Sequence, residues 1–386
     1  MSLGALIGGL AAIATLAGVG RPRTREHRSG PRPLPRTAGI GIVRSDEIVV
    51  RLGRWRRVGV GRGSSLLVVG PTQSGKTRRV VAENLRRHPG TVLVTSVKGD
   101  VLDARALERR HDLGDVWVLG DTPRATHEWQ PWFEAIDDTH ALAMADRLLA
   151  MVPERRTPSA EVRFWHELAR PYVAAWLRLA WYGEQVPVGE LLVRAAEVAG
   201  DELRAALDET VADGRQRDSL HVTIQAALGA ARGPRSRGWP VRLGEALAPT
   251  VVVVGSLAEQ ERRSAWYATL LDTAFEAILR QPANTLVLLD EVAHLAPVPR
   301  LAHVAAVSVG LGARLVTIAQ DFAQLEAAFG VEAASLVANH RARLFLDPAH
   351  DPGVRAHLAA LGLRGDEGAI LLGPRGARRP ILGSVA

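Results

Sequence analysis

The segment GPTQSGKT, residues 70–77, constrains the fold of this chain more than any other part of the sequence. It follows the apolar run SSLLVV and precedes TRRVVAENLRR, which has the composition of a helix. The spacing matches the phosphate-binding pattern G-x-x-x-x-G-K-[ST], in which glycines let backbone N–H groups turn towards phosphate oxygens. Such a loop joins a buried strand to a helix N-terminus, whose partial positive charge favours an anion. The segment therefore predicts an α/β protein that binds a nucleotide.

The loop assigns a chemical role to each of its residue types. The residues expected to contact nucleotide are Gly70, Pro71, Thr72, Gln73, Ser74, Gly75, Lys76 and Thr77. Lys76 would reach the β- and γ-phosphates of ATP as a compact ammonium, and the Thr77 hydroxyl would ligate Mg²⁺. Only two of the 48 basic residues are lysines. Lysine is therefore kept at a position where the planar fork of arginine would fit poorly.

Two later strands end in polar residues that suit the same chemistry. The run LVLLDE ends in Asp290 and Glu291, the arrangement of a Walker B strand. Asp290 is expected to hold Mg²⁺, and Glu291 to polarise the attacking water. Gln320 ends the next strand and is expected to sense the γ-phosphate. The alternatives are a solvated acidic pair in a turn and a glutamine that caps a helix.

Apolar strands alternate with helices through most of the chain, which predicts a parallel sheet covered on both faces. This pattern covers residues 38–152 and 241–386. Between them, residues 153–240 have apolar positions at helical spacing and no strand pattern, which predicts an inserted all-α domain. Its Trp-rich segment 164–181 is interpreted as core packing, with a DNA-stacking platform as the alternative.

The N-terminus predicts a membrane anchor and a linker. Residues 3–20 carry no charge, and as a helix they would span roughly 27 Å, just short of a typical hydrocarbon core. Six arginines follow within residues 21–37, and no basic residue precedes the apolar run. The positive-inside rule therefore places the rest of the chain in the cytoplasm, with one anchor within residues 1–20. A cleaved signal peptide is the rival interpretation, but its basic leading segment is missing.

Composition restricts the partners and the chemistry. The formal net charge of +7 favours a polyanionic partner such as nucleic acid. A GC-rich genome, which encodes arginine frequently, would give the same excess of basic residues. The chain has no cysteine. Disulfides, thiolate zinc sites and cysteine nucleophiles are therefore excluded.

Ordered blocks between residues 60 and 385 resemble the coupling ATPases of type IV secretion and conjugation. The blocks are GPTQSGKT, VTSVKGDVL, EWQPWFEA, FWHELARPYVAAWL, LLDEVAHLAPVPRLAHV, GARLVTIAQDFAQLEAAFG and VANHRARLFL. The chain departs from the family pattern at Ser96, where many members have an acid, and at Val309, where many have a basic residue. The second departure leaves the arginine finger unassigned, with Arg314, Arg341 and Arg343 as candidates.

The resemblance implies a RecA-like P-loop NTPase sheet with an inserted all-α domain. It implies ATP and Mg²⁺ as ligands, Lys98 and Asn339 as accessory site residues, and a homo-oligomer that is a hexamer when active. The implied partners are single- or double-stranded DNA, relaxosome or secretion-channel proteins, and the inner membrane of a bacterium, on its cytoplasmic face.

Two other functions remain open from the sequence. The first is a chromosome-segregation translocase of the same superfamily, although the chain has no recognisable C-terminal winged-helix segment. The second is a docking receptor for secreted proteins that uses ATP only as an assembly switch. Stimulation of ATP turnover by DNA is expected of a motor and is not required of a receptor.

Deleting residues 2–20 should release the protein from membranes, because this uncharged run and its arginine flank are the basis of the predicted anchor. The measurement is the distribution of full-length and truncated chains between membrane and soluble fractions. Equal partitioning of the two chains would contradict the anchor.

Overall fold

The computed structural model of the protein describes most of the chain after residue 46. The described residues are 47–51, 57–60, 63–103, 105–151, 160–208, 214–234, 238–245, 247–281, 284–295, 298, 300–361, 363, 369–373 and 378–381. The predicted anchor (1–20) and basic linker (21–37) lie outside them. Among the described helices, none is both long enough and apolar enough to span a bilayer.

Thirteen strands occur in the described residues. They are β1 (Val49–Arg51), β2 (Arg57–Gly59), β3 (Leu66–Val69), β4 (Val92–Ser96), β5 (Val116–Gly120), β6 (His127–Glu128), β7 (Trp239–Pro240), β8 (Thr250–Val254), β9 (Thr285–Leu289), β10 (Ala313–Ala319), β11 (Ala342–Leu346), β12 (Ala369–Leu372) and β13 (Arg378–Ile381).

Fourteen α-helices accompany these strands in the described residues, and a π-helical turn at Thr77–Val81 leads into the first of them. They are α1 (Ala82–Arg87), α2 (Arg105–His111), α3 (Asp138–Ala150), α4 (Ala160–Trp181), α5 (Val188–Val198), α6 (Asp201–Asp208), α7 (Gly214–Ala231), α8 (Leu257–Arg262), α9 (Ser264–Arg280), α10 (Val292–Leu295), α11 (Leu301–Leu311), α12 (Phe322–Phe329), α13 (Glu332–Asn339) and α14 (Pro352–Ala360).

Nine of the strands form one sheet in the order β13-β12-β11-β3-β10-β9-β4-β8-β5. The strands from β11 to β5 run parallel, while β12 and β13 form an antiparallel hairpin at one edge. The parallel sheet predicted from the sequence is confirmed. Because β10 lies between β3 and β9, the carboxyl ends of these three strands meet at one edge of the sheet.

Both faces of the sheet are covered, as a parallel sheet requires. Along β3, Leu67 and Val69 belong to one buried cluster, whereas Leu66 and Val68 belong to the other. The first cluster includes side chains of α3, α4, α9 and α11, and the second includes side chains of α1 and α2. Strand side chains alternate between faces, so these continuous apolar strands supply both clusters at once.

The helices α3 to α7 pack around α4, and together they form the helical unit of the structure. α3 packs along α4, and Arg170 of α4 donates a hydrogen bond to Asp146 of α3 at 2.7 Å. This unit includes α3, which precedes the predicted insertion at 153–240, and the predicted domain bounds stay a prediction. The chain enters and leaves it through β6 and β7, which pair in parallel. The apolar spacing of α3 suits a sheet-covering helix and a bundle helix equally well, so only its packing partner separates the two.

A buried arginine fixes the amino-terminal edge of the sheet. Arg110 of α2 is fully buried, and its Nε donates to the hydroxyl of Thr250 at 2.6 Å. Its Nη atoms donate to the backbone carbonyls of His88, Gly90 and Pro249 at 2.5–2.7 Å. One guanidinium thereby joins the turn before β4 to the turn before β8.

Arg110→Met should destabilise the fold by about 3 kcal/mol, because a buried hydroxyl and three buried or partly buried carbonyls would lose their donor. A thermal unfolding scan checks this as a lower midpoint. The matched control is Arg109→Met, on the exposed side of the same helix, which should leave the midpoint nearly unchanged. Equal midpoints for the two variants would contradict a structural role for the buried guanidinium.

Candidate nucleotide-binding site

The loop between β3 and the π-helical turn depends on glycine at two positions. A Cβ on Gly70 would lie 2.8 Å from Cβ and 2.9 Å from the carbonyl oxygen of Leu346 on β11. Gly75 has φ of +81°, in the left-handed region that glycine adopts without strain. Gln73 also has a positive φ, of +63°. The loop therefore turns tightly against β11 and directs its backbone into a cleft.

Lys76 lies at the base of this loop and is almost completely buried, with 7% of its surface exposed. Its Nζ donates to the carbonyl of Gly70 at 2.5 Å and to that of Pro71 at 2.7 Å. Burial lowers the pKa of Lys76, and the carboxylates of Asp290 and Glu291 oppose that shift. The ammonium is thus held inside the loop, where phosphate oxygens could replace the two carbonyls.

Asp290 meets the loop from the end of β9. The hydroxyl of Thr77 donates to Oδ2 of Asp290 at 2.7 Å, and the hydroxyl of Thr95 donates to the Asp290 carbonyl at 3.2 Å. The other carboxylate oxygen, Oδ1, is buried and has no hydrogen-bond partner. A buried oxygen without a donor is costly unless a ligand satisfies it.

These oxygens fit a magnesium ion. Mg²⁺ prefers oxygen ligands and is usually held by one or two protein groups together with water and substrate phosphates. The Thr77 hydroxyl and Oδ1 of Asp290 supply such a pair. Among the described residues no cluster of three or more His, Asp or Glu side chains could hold a metal alone. The site therefore suits an ion that arrives with a nucleotide.

The electrostatic environment makes Asp290 an unusual acid. Its pKa is raised to about 6, chiefly by burial and also by the nearby carboxylates of Glu291 and Asp100. The hydrogen bond from Thr77 and the charge of Lys76 act in the opposite direction. A cation placed next to this carboxylate would favour its ionised form.

Glu291 is held in a strained backbone conformation. Its φ is +50°, in the left-handed region that non-glycine residues seldom adopt, and its backbone oxygen accepts from the N–H of His294 in the first turn of α10. Such strain costs roughly 1–3 kcal/mol and is concentrated at functional sites. The turn places Glu291 in the cleft wall next to Asp290.

The cleft has a volume of about 350 Å³ and is formed by residues that follow β3, β4 and β9. Asp290 and Glu291 line it together with the loop residues Thr72, Gln73, Gly75, Lys76 and Thr77, as the sequence pattern led us to expect. The other predicted loop contacts, Gly70, Pro71 and Ser74, are not among its lining residues. Lys98 also lines it, so both lysines of the chain lie in one cleft.

Two further residues line the cleft, although the spacing of the sequence did not mark them as site residues. Asp100 lines the cleft, and its Oδ1 accepts from the Ser96 hydroxyl at 3.0 Å. Arg78, directly after Thr77, lines it as well. For Asp100 the available signal was the KGD turn after a buried strand, and for Arg78 there was none beyond its position.

The remaining predicted site residues lie outside the lining of this cleft. Gln320 follows β10 next to the loop, since the carbonyl of Ala319 accepts from the N–H of Gly70 at 3.3 Å. Its Oε1 accepts from Gln324 at 3.2 Å. Asn339 donates to the carbonyl of Ala302 at 2.9 Å, which joins α13 to α11. A role of Gln320 or Asn339 in catalysis stays a prediction.

The three candidate arginine fingers differ in exposure. Arg314 is 8% exposed and lies near the amino end of β10, at the edge of the sheet opposite the loop. Nε of Arg343 donates to the carbonyl of Val337 at 3.2 Å. Arg341 is exposed. Arg341 directly precedes the amino end of β11, at the same edge of the sheet as Arg314, and is the only exposed side chain of the three; its role stays a prediction.

Two family models match the chain. A model described as type IV secretory system conjugative DNA transfer matches residues 37–229, half of the chain. This chain belongs to the conjugative DNA-transfer family of type IV secretory systems. A second model, described as the TraM recognition site of TraD and TraG, matches residues 284–361. No match is found among curated protein sequences.

Solved structures support the fold of this conjugative DNA-transfer protein. The plasmid coupling protein TrwB in complex with ADP and Mg²⁺ is similar with a TM-score of 0.55 and 20% identity, over 82% of this chain and 78% of that one. TrwB in complex with the ATP analogue ADPNP is similar with a TM-score of 0.53 and 21% identity, over 74% and 72% of the two chains. The likeness confirms the predicted P-loop NTPase sheet with an all-α domain.

Lowering the pH should weaken Mg²⁺-dependent nucleotide binding by this family member. The pKa of Asp290 near 6 means that its carboxylate, the form that binds a cation, is lost as the pH falls through that value. Calorimetric titration with a non-hydrolysable ATP analogue from about pH 8 to about pH 5 checks this, since an ordinary aspartate keeps its charge to about pH 4. The phosphates of the nucleotide titrate in the same range, so Asp290→Asn is the control. An equal fall in nucleotide affinity in that variant would contradict the assignment of the pH dependence to Asp290.

Proposed function

We infer that this chain is a membrane-anchored ATPase that couples hydrolysis of MgATP to the movement of DNA into a type IV secretion channel. The observation that carries the proposal is the convergence of Lys76, Thr77, Asp290 and Glu291 in one cleft. Membership of the conjugative DNA-transfer family supplies the substrate class. The similar plasmid coupling protein TrwB has been solved in complex with ADP and Mg²⁺ and with an ATP analogue, which supports nucleotide as the ligand.

In this proposal the protein positions ATP and stabilises charge. Lys76 and the loop N–H groups hold the β- and γ-phosphates, and Thr77 and Asp290 hold Mg²⁺, which neutralises developing phosphate charge when it is bound. Glu291 accepts a proton from the attacking water. Gln320, at the end of β10 beside the loop, reports whether a γ-phosphate is present.

Lys98 has a supporting role in the same cleft. Its charge lies close enough to Lys76 to help lower the pKa of that lysine, so two cations face the space that phosphates would occupy. A nucleotide carries enough negative charge to relieve this repulsion. We infer that Lys98 contacts the bound nucleotide.

The proposed assembly is a hexamer on the cytoplasmic face of the inner membrane. The uncharged run at residues 3–20 and its arginine flank support the anchor. The positive net charge suits a DNA substrate, and the family model named for TraM recognition supports a relaxosome partner. Arg341, the exposed candidate, is the finger that we propose for the nucleotide of a neighbouring subunit.

The central test is the ATPase rate of the full chain, with and without single- and double-stranded DNA, across a range of protein concentrations. A motor that works as a ring should show DNA-stimulated turnover that rises more steeply than protein concentration. Turnover that ignores DNA at every concentration would favour the docking receptor.

Glu291→Gln should bind ATP with unchanged affinity but hydrolyse it on the order of a hundredfold more slowly, the scale for loss of a positioned base. The amide keeps the size of the side chain and removes the charge that draws a proton from water. Steady-state turnover and nucleotide binding are measured on the same preparation.

Mixing Glu291→Gln with wild type tests the ring separately. In a coordinated ring the mixture should lose activity out of proportion to the mutant fraction. Activity that falls only in proportion would argue against coordination, whereas normal hydrolysis by the pure mutant would show that Glu291 is only a turn residue.

A further inference from the structure

The carboxylate of Asp272 joins two parts of the molecule that the sequence separates widely. Asp272 lies on α9 and is 2% exposed. Arg300 donates to it through Nε at 2.8 Å and Nη2 at 2.7 Å, so that both oxygens are engaged. Nε of Arg147 donates to Oδ2 of Asp272, the oxygen that Nη2 of Arg300 also reaches, at 3.2 Å. One buried carboxylate is therefore shared by two guanidinium groups.

The two arginines belong to different functional parts. Arg147 lies on α3, which packs along α4 in the helical unit. Arg300 lies at the N-terminus of α11, ten residues after Asp290 along the chain. α11 in turn leads into β10, which ends beside the phosphate loop at Gln320. Along the chain, Arg300 thus lies between Glu291 and Gln320, the two residues that face the γ-phosphate in the proposed mechanism.

The contact has the properties of a two-state link. A buried carboxylate needs its donors, since removing one leaves charge that low-dielectric surroundings do not solvate. The Arg300 side chain is 53% exposed and can exchange its bond for water, whereas the Arg147 side chain is 17% exposed. Arg147 also pairs with Glu276 of α9 through Nη2. If Arg300 withdraws, Arg147 must release Glu276 and α3 must shift before the Arg147 guanidinium can engage both oxygens of Asp272.

Two features near the Arg147–Asp272–Arg300 contact would allow it to rearrange: a strained backbone at Glu291 and free space between α3 and α9. Glu291, at the start of the segment after β9, is strained at φ +50° and can relax when the cleft is filled. Next to Arg147, a cavity of about 380 Å³ lies between α3 and α9. His140 lines it from α3, and Thr273 and Glu276 line it from α9. Space that is open to solvent therefore borders α3 and α9 at this point.

We propose that Asp272 is a positioning residue that couples the nucleotide state of the cleft to the helical unit, by exchanging its hydrogen bonds between Arg300 and Arg147. The inference rests on the proposed nucleotide-binding function. It assigns to the Arg147–Asp272–Arg300 bridge the transmission step of the motor, and it does not require any of the three residues to touch nucleotide or DNA.

Amide hydrogen exchange of the full-length protein tests the bridge without hydrolysis or DNA. The probe is a non-hydrolysable ATP analogue with Mg²⁺. In wild type, its binding should change the exchange rates of slow amides in α3 and α4 by about fivefold or more, the lower end of allosteric coupling. Arg147→Gln and Arg300→Gln should bind the analogue with unchanged affinity and lose this change.

Matched variants separate the bridge from a general loss of stability. Asp146→Asn removes a neighbouring charge whose partner, Arg170, lies within the helical unit, and it should keep the wild-type response. The double variant of Arg147 and Arg300 should behave like either single variant, because both act through one carboxylate. Asp272→Asn is a secondary variant, since the loss of a buried charge could prevent folding.

The outcomes distinguish failure of the bridge from failure of the proposed function. If wild type does not bind the analogue, the proposed function is wrong, and the inference that depends on it falls as well. If wild type binds it and α3 and α4 do not respond, or if Arg147→Gln and Arg300→Gln respond as wild type does, the bridge is overturned. With DNA, the variants should keep basal ATPase activity and lose its stimulation, and stimulation equal to that of wild type would also overturn the bridge.

Discussion

The nucleotide-binding cleft depends on one hydrogen bond, from the Thr77 hydroxyl to Oδ2 of Asp290, across 213 residues of sequence. It forms because β3 and β9 flank β10 in one parallel sheet, so that their carboxyl ends reach the same edge. The bond leaves Oδ1 of Asp290 buried and without a donor. Backbone geometry thus produces a carboxylate whose remaining oxygen is best satisfied by a cation.

The same edge gathers charges that oppose one another. Lys76 and Lys98 face Asp100, Asp290 and Glu291 around a cleft of about 350 Å³. Mutual repulsion among the acids contributes to the high pKa of Asp290, and burial is the larger cause. A bound nucleotide with its metal ion would add negative charge beside the lysines and positive charge beside the acids. This complementarity explains why groups that destabilise each other are kept together.

The departure from the family pattern at Ser96 has a local structural explanation. Ser96 ends β4, and its hydroxyl accepts from the N–H of Gly99 at 3.1 Å and donates to Asp100 at 3.0 Å. Gly99 itself has φ of +66°. A hydroxyl can accept and donate at once, whereas an ionised acid can only accept. Serine therefore holds the turn that directs Lys98 and Asp100 into the cleft.

The sequence by itself determined the phosphate loop, the Walker B acids and the strands that carry them, because each depends on local spacing. The loop needs a glycine where φ is positive, and a strand buried on both faces needs a continuous apolar run. It also indicated an all-α insertion. Tertiary structure decided that α3 packs with the helices of that insertion, because α3 has the same apolar spacing whichever surface it covers. It also decided that Asp272 is shared by Arg147 and Arg300. No local pattern marks such a contact, since a buried carboxylate is defined by donors that come from distant parts of the chain.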